Sequence, residues 1–293
     1  MKLDRMALAD GTTPKKLLAA LLSQIPDIPL PIPIEEIAVA LDIEQIQSLD
    51  TEGFEGGLIA FDDKSSGTIL VNTRSPRQRQ RFTIGHELGH FLNPWHMPPT
   101  GGFRCTVSDM RRFDAPSRLD RAAQMEAEAN AFSAGLLMPD IGFRRTLRQW
   151  GGPEIAHILN LAKQYDVSKE ATGRKYVALH DEPCAIVFSH NGAILYGQRG
   201  EDFPYLEVSK GRPLPTGSLT RRDGLADGII SAWEEVDPHV WLSHTRGIKS
   251  LTEQALGQRD GYRMTMLCAE IEDSDELEDE NGPHERDAPR FQR

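Results

Sequence analysis

"RFTIGHELGH", residues 81–90, sets two histidines four positions apart with a glutamate directly after the first. On an α-helix such positions lie about 40° apart around the axis and one turn along it, so His86 and His90 can face one ion. Glu87, beside the first histidine, is placed to take a proton from a water held by that ion. The same five residues are also compatible with two hydrogen-bonded core histidines that happen to flank an acid. Gly85 and Gly89 sharpen the choice. Glycine inside a helix costs about 0.5–1 kcal/mol relative to alanine, so two of them four apart indicate a close neighbour on that side.

Working outward, Ser75, Pro76 and Gln78 predict the start of this helix through a capping box, and Pro94 ends it after Asn93. Phe82, Ile84, Leu88, Phe91 and Leu92 surround it, which predicts burial on most sides. A second helix, capped by Ser117, is expected over "RLDRAAQMEAEANAFSAGLLMP". A catalytic metal needs a third protein ligand, and Glu126 on that helix is the candidate, with Asn130 one turn on to orient a ligand histidine. Ala122, Ala123 and Ala129 make the same face small enough for tight contact. Glu128 lies about 200° around the helix from Glu126 and is expected to face away. The competing reading leaves both glutamates as solvated surface acids.

"RFTIGHELGHFL" followed by "EAEANAFSAGLLMP" resembles the ImmA/IrrE family of zinc metallopeptidases, over residues 30–140 most closely and 150–182 less so. Gly85 and Ser133 stand where that family more commonly has alanine. The resemblance implies an α+β, zincin-like domain over 1–150, with one Zn2+ per chain held by His86, His90 and Glu126 and with Glu87 as catalytic base. It further implies cytoplasmic cleavage of a helix-turn-helix (XRE-like) repressor, controlling stress-response or mobile-element genes. Such a substrate could lie extended along an edge strand, for which 56–61 and 68–72 are the candidates.

Before the motif, a helix over 13–24, a second over 34–43 and a hairpin of 56–61 with 68–72 are expected. After the second motif helix, "IGFRRTLRQW" reads as a third helix. Residues 151–182 read as a helix-turn-helix-like unit, Ser168 capping its second helix, with Asp166 where glycine is usual and Thr172 where an aliphatic residue is usual. Lys169, Arg174 and Lys175 could touch phosphate, but three charges are ordinary for an exposed helix, and a structural or partner-docking role is the stronger expectation. Residues 183–269 read as a C-terminal α+β unit with a hairpin turn at Asn191-Gly192 and a helix over 224–236. By position and strand content they resemble the GAF-like sensor domain of longer family members.

Hydrophobic residues at 39% and charged residues at 26% describe an ordinary globular chain, and no apolar run is long enough for a bilayer. The N-terminal stretch lacks a signal-peptide core, and three scattered cysteines fit a reducing compartment. The end of the chain, 270–293, has ten acids against three arginines, −7 of a total of −11, and is expected to be disordered. The remaining body, near −4, offers no general attraction to nucleic acid. In the 94–116 loop, Cys105 is expected to be an ordinary small residue, with an inhibitory metal contact as the alternative. His96 and Arg104 are expected at the surface, with cleft-lining as their alternative. The rival function is a metal-stabilised transcription regulator that binds DNA or a repressor without cutting. Oligomeric state is not legible. Limited proteolysis is expected to strip the tail and leave a resistant core ending near residue 269; a tail as resistant as the core would refute the disorder.

Overall fold

The computed structural model describes residues 1–97, 103–105 (backbone only), 120–222 and 224–272. The expectations for Ser117, for the side chains of Arg104 and Cys105 and for the tail beyond 272 lie outside the described residues. Two compact units are present: Met1–Trp150 with Leu159–Thr172, and Gly151–Ile158 with Gly173 onward.

In the first unit, Thr13 accepts from the Lys16 N–H and Pro14 occupies the first turn, starting α1 (Pro14–Leu22), which buries Leu17 and Leu21. Helix α2 (Ile34–Ala40) ends sooner than its apolar pattern suggests, because Asp42 turns the chain at φ 70 into β1 (Ile43–Leu49). That strand shows no clear alternation in "IEQIQSL", since most of it is exposed or half-exposed. The hairpin strands β2 (Gly56–Ala60) and β3 (Gly67–Asn72) pair antiparallel, as expected. The described sheet has the order β1-β3-β2-β4, with β4 being Phe103–Cys105 and β1 parallel to β3. Strand β3 is therefore interior and β2 is paired on both sides at Gly56–Leu58. This corrects the expectation that either lies at an edge; the edge beside β2 is β4, from a stretch read as loop.

Helix α3 (Arg77–Leu92) crosses this sheet with nearly every residue from Arg81 onward buried. Its start differs from the expected capping box. Ser75 donates its hydroxyl to Glu55 at 2.8 Å, and the Gln78 amide donates to Asp166 at 2.9 Å. Asp166, at φ 50, also accepts from Arg77 at 2.6 Å. Arg81, almost fully buried, donates to the carbonyls of Ile32 at 2.7 Å and Asp166 at 3.3 Å. The turn at 166 thus anchors the start of α3, and the carboxylate explains why aspartate stands in a glycine's place. Neighbouring Thr172 is buried and donates to the Ser168 carbonyl at 2.9 Å.

Asp120 caps α4 (Arg121–Leu137), accepting from the Ala123 N–H at 3.0 Å. Helices α3 and α4 meet where the glycines lie. A Cβ on Gly85 would stand 2.6 Å from Ser133 Oγ, and one on Gly89 would stand 3.1 Å from the Phe132 ring. Ser133 fills that space and donates to the Phe82 carbonyl at 2.7 Å. Helices α5 (Asp140–Trp150), α6 (Ile155–Tyr165) and α7 (Lys169–Leu179) follow, and Ser168 caps α7 by accepting from Ala171 N–H at 3.1 Å.

In the second unit, β5 (Cys184–His190) and β6 (Ala193–Arg199) form the expected hairpin, with Asn191 and Gly192 both at positive φ. Strands β7 (Glu234–Glu235), β8 (Ile248–Gly257) and β9 (Tyr262–Ile271) complete an antiparallel sheet of order β6-β5-β9-β8-β7. The helix expected over 224–236 is absent. Gly224 and Gly228 take left-handed backbone angles, and the stretch bonds to β8 through Gly228 N–H to Gly257, Ser231 N–H to Ala255 and Val236 N–H to Leu251. Buried Glu253 accepts from Ser218, from the Thr220 N–H and from the Trp241 indole at 2.8–2.9 Å, which fixes the loops against the sheet. Among the described residues, no helix is long and apolar enough to cross a membrane.

The packing of α3 on α4 gives an expected outcome. Gly85→Ala should destabilise the chain by about 1–3 kcal/mol despite alanine's better helix propensity, because its methyl overpacks Ser133. Adding Ser133→Ala should return a coupling of about 1 kcal/mol or more in a denaturant-melt double-mutant cycle. Strict additivity would show that the two positions do not meet.

Candidate metal centre

The helical spacing sets the two imidazoles edge to face, ring centres 4.7 Å apart, with their Nε2 atoms 3.1 Å from each other. The close approach permitted by Gly85 and Gly89 brings Glu126 across from α4. Its Oε2 lies 3.2 Å from His86 Nε2 and its Oε1 lies 3.4 Å from His90 Nε2. Both histidines are fully buried and Glu126 retains 17% of its side-chain exposure, which leaves the cluster approachable from one side. Asn130, one turn beyond Glu126 and fully buried, has its amide oxygen 2.9 Å from His86 Nδ1. That contact places the His86 proton on Nδ1 and leaves Nε2 as a lone-pair donor.

Glu87 is completely buried. A Cβ on Gly56 of β2 would stand 3.2 Å from its Oε1 and 2.1 Å from a Thr83 methyl, so the strand passes the carboxylate at a distance only glycine allows. The electrostatics are those of a site short of positive charge. Burial pushes Glu126 upward, but hydrogen bonds from His86 and His90 outweigh it and hold its carboxyl far below the usual range. Burial opposes a proton on His86, yet Glu126, Glu87 and Asn130 together raise its proton affinity. Burial lowers His90 to about 3, with the charge of His86 adding to the effect.

A metal ion satisfies this arrangement better. His86, His90 and Glu126 each offer one donor atom, all within 4.8 Å of one another. The two Nε2 atoms, 3.1 Å apart, and the two oxygens of Glu126, one 3.2 Å from His86 and the other 3.4 Å from His90, stand near the roughly 3.3 Å that separates donors about 2.0–2.1 Å from a tetrahedral centre. Two neutral nitrogens and a carboxylate suit a borderline-soft dication.

Other residues gather here that the sequence reading placed elsewhere. His96, expected at the surface, is 1% exposed, with its Nδ1 3.0 Å from His90 Nδ1. Glu128 does not simply face solvent; its Oε2 lies 3.0 Å from His96 Nε2 and accepts from the Asn93 amide at 3.1 Å. Lys64, at φ 50, donates to the carbonyls of His90 and Asn93 at 2.7 Å each and so satisfies the last turn of α3. Burial lowers that amine to about 8. The signal for His96 was its place just past Pro94, where the chain must double back over the helix end.

Two helices that bring a buried HExxH pair and a glutamate onto one point define the metal centre of a metallopeptidase-like domain. Residues 43–98 and 100–176 match the peptidase family described as the IrrE N-terminal-like domain, which supports the ImmA/IrrE resemblance over that part of the chain. Over 130 residues it is 28% identical to the radiation response metalloprotease IrrE of Deinococcus radiodurans, a match covering 44% of this chain and 36% of that protein. The match thus spans little more than a third of the relative's length. A Mycobacterium tuberculosis transcriptional regulator is a looser likeness, with 13% identity and a TM-score of 0.44 over 76% of this chain and 66% of that one.

A cluster that binds metal only when folded should couple metal to stability. A micromolar excess of zinc is expected to raise the melting temperature of chelator-stripped protein by several degrees, following the mass-action gain of about 2.7 kcal/mol at a hundredfold excess over Kd. An unchanged melt with and without metal would exclude a bound ion at this cluster.

Proposed function

We propose that the chain is a cytoplasmic, zinc-dependent endopeptidase that cleaves a helix-turn-helix repressor protein. The observation that carries the peptidase reading is Glu87: a fully buried carboxylate directly beside a three-donor metal cluster. A purely structural ion has no use for such a base or for a site with one side approachable.

In this reading His86, His90 and Glu126 hold the ion, and Asn130 orients His86. Zinc held there would polarise the scissile carbonyl and supply a water nucleophile at neutral pH. Glu87 takes the proton of the attacking water and passes it to the departing amine. The main chain of β2, held against Glu87 at Gly56, keeps the carboxylate in place and water away from its far side. A substrate would lie extended beside β4.

The repressor rests on the family resemblance, and the relative's description as a radiation response protein supports a stress-response setting. Residues 183–269 are proposed to sense a signal or dock the partner. Selective cleavage follows if remote contacts supply the energy that orients the scissile bond. The rival reading, a regulator that binds DNA through 155–180, finds less support. Arg174, one of its three candidate phosphate contacts, stacks on the Tyr196 ring with 4.0 Å to the centroid, and Asp166 is committed to α3.

The test uses the full chain with a helix-turn-helix repressor encoded beside it. His86→Ala, His90→Ala and Glu126→Ala should lose the metal by elemental analysis. Glu87→Gln should keep it while slowing repressor cleavage by at least about a hundredfold, the usual scale of a lost general base. Full cleavage by Glu87→Gln would overturn the mechanism. A metal-independent gel shift on its own promoter, with no cleavage by wild type, would favour the regulator.

A further inference from the structure

The two histidines of the cluster are oriented by different devices. His86 meets a neutral amide directly, at Asn130. His90 Nδ1 meets a third imidazole, His96, whose far nitrogen meets Glu128. We propose that His96 and Glu128 form a tautomer relay that presents the Nε2 lone pair of His90 to the metal, a positioning role that rests on the metal reading above.

The argument is a count of protons. His90 Nε2 points into the cluster, 3.1 Å from His86 Nε2 and 3.4 Å from Glu126 Oε1. As a ligand it carries no proton there, so the single proton of the neutral ring sits on Nδ1. Across 3.0 Å that proton needs an acceptor, and the facing atom is His96 Nδ1. That nitrogen accepts only if His96 carries its own proton on Nε2. The proton is then donated across 3.0 Å to Glu128 Oε2, which as a carboxylate can only accept. One assignment satisfies both of these contacts, and the carboxylate at the end dictates it. A proton on His96 Nδ1 would set two N–H groups against each other.

The imidazole of the relay is enclosed, while Glu128 keeps 41% of its side-chain exposure. His96 is 1% exposed. The same Glu128 oxygen accepts from the Asn93 amide at 3.1 Å, and Asn93 Oδ1 accepts from the Trp95 N–H at 3.0 Å. Lys64 fastens the carbonyls of His90 and Asn93 together. The relay of His90 thus ends on a carboxylate, whereas a neutral amide serves His86.

Two measurements on the full-length chain decide the proposal. Competition with a chromophoric chelator should show zinc affinity weakened about 10- to 100-fold in His96→Leu and Glu128→Ala, as for other lost partners of ligand histidines. His96→Gln, which keeps one acceptor and one donor, should recover most of the loss. In the zinc-loaded wild type, nitrogen-15 histidine spectra should show His90 protonated on Nδ1 and His96 on Nε2. A wild type that binds no zinc overturns the metal reading and the relay with it. Zinc binding with His96 protonated on Nδ1, or with affinity unchanged in a folded His96→Leu, overturns the relay alone. If that variant fails to fold, the wild-type tautomers still decide.

Discussion

The distance between α3 and α4 is the constraint from which the site follows. A carboxylate on one helix reaches two imidazole nitrogens on another only if the backbones come close. That closeness is bought by Gly85 and Gly89 on one side and by Ala129 and Ser133 on the other. The helix propensity forfeited by two glycines is recovered as donor spacings of 3.1–3.4 Å. The same closeness carries Asn130 to His86, so the ligand and the residue that orients its neighbour are delivered by one contact.

The residues of the metal cluster were legible because helical spacing is rigid: four residues make one turn wherever the helix is packed. The same rigidity exposed Glu126 with Asn130 as a pair. His96 and Glu128 were less visible because their meeting depends on a loop. The angle between Glu126 and Glu128 around α4 predicts that Glu128 faces away, yet it says nothing of His96, which the chain beyond Pro94 brings to within 3.0 Å of it. Angular position on a helix reports direction and not company.

Elsewhere the misreadings share a cause. Strand β1 was hidden because most of "IEQIQSL" faces outward, so its pairing with β3 rests on backbone hydrogen bonds that leave no apolar signature. The stretch 224–236 carried helix-like spacing, but two left-handed glycines and bonds to β8 prevailed over it. The capping box around Ser75 was chemically sound, and it lost to stronger partners: a carboxylate for the hydroxyl, another for the amide. Local signals hold where no charged group from a distant part of the chain competes.

Asp166 shows what such competition means for the order in which the chain is made. The carboxylate that pairs with Arg77 arrives 89 residues after it, and the backbone carbonyl that receives buried Arg81 arrives 85 residues after it. A chain ending at Trp150 contains both histidines, Glu87 and Glu126, but the start of their helix then holds only to earlier residues such as Glu55 and Ile32. The turn between α6 and α7 adds the last of these contacts, through Asp166 to Arg77, Gln78 and Arg81. Losing that turn would remove an anchor of the site's helix without touching any residue that lines the site.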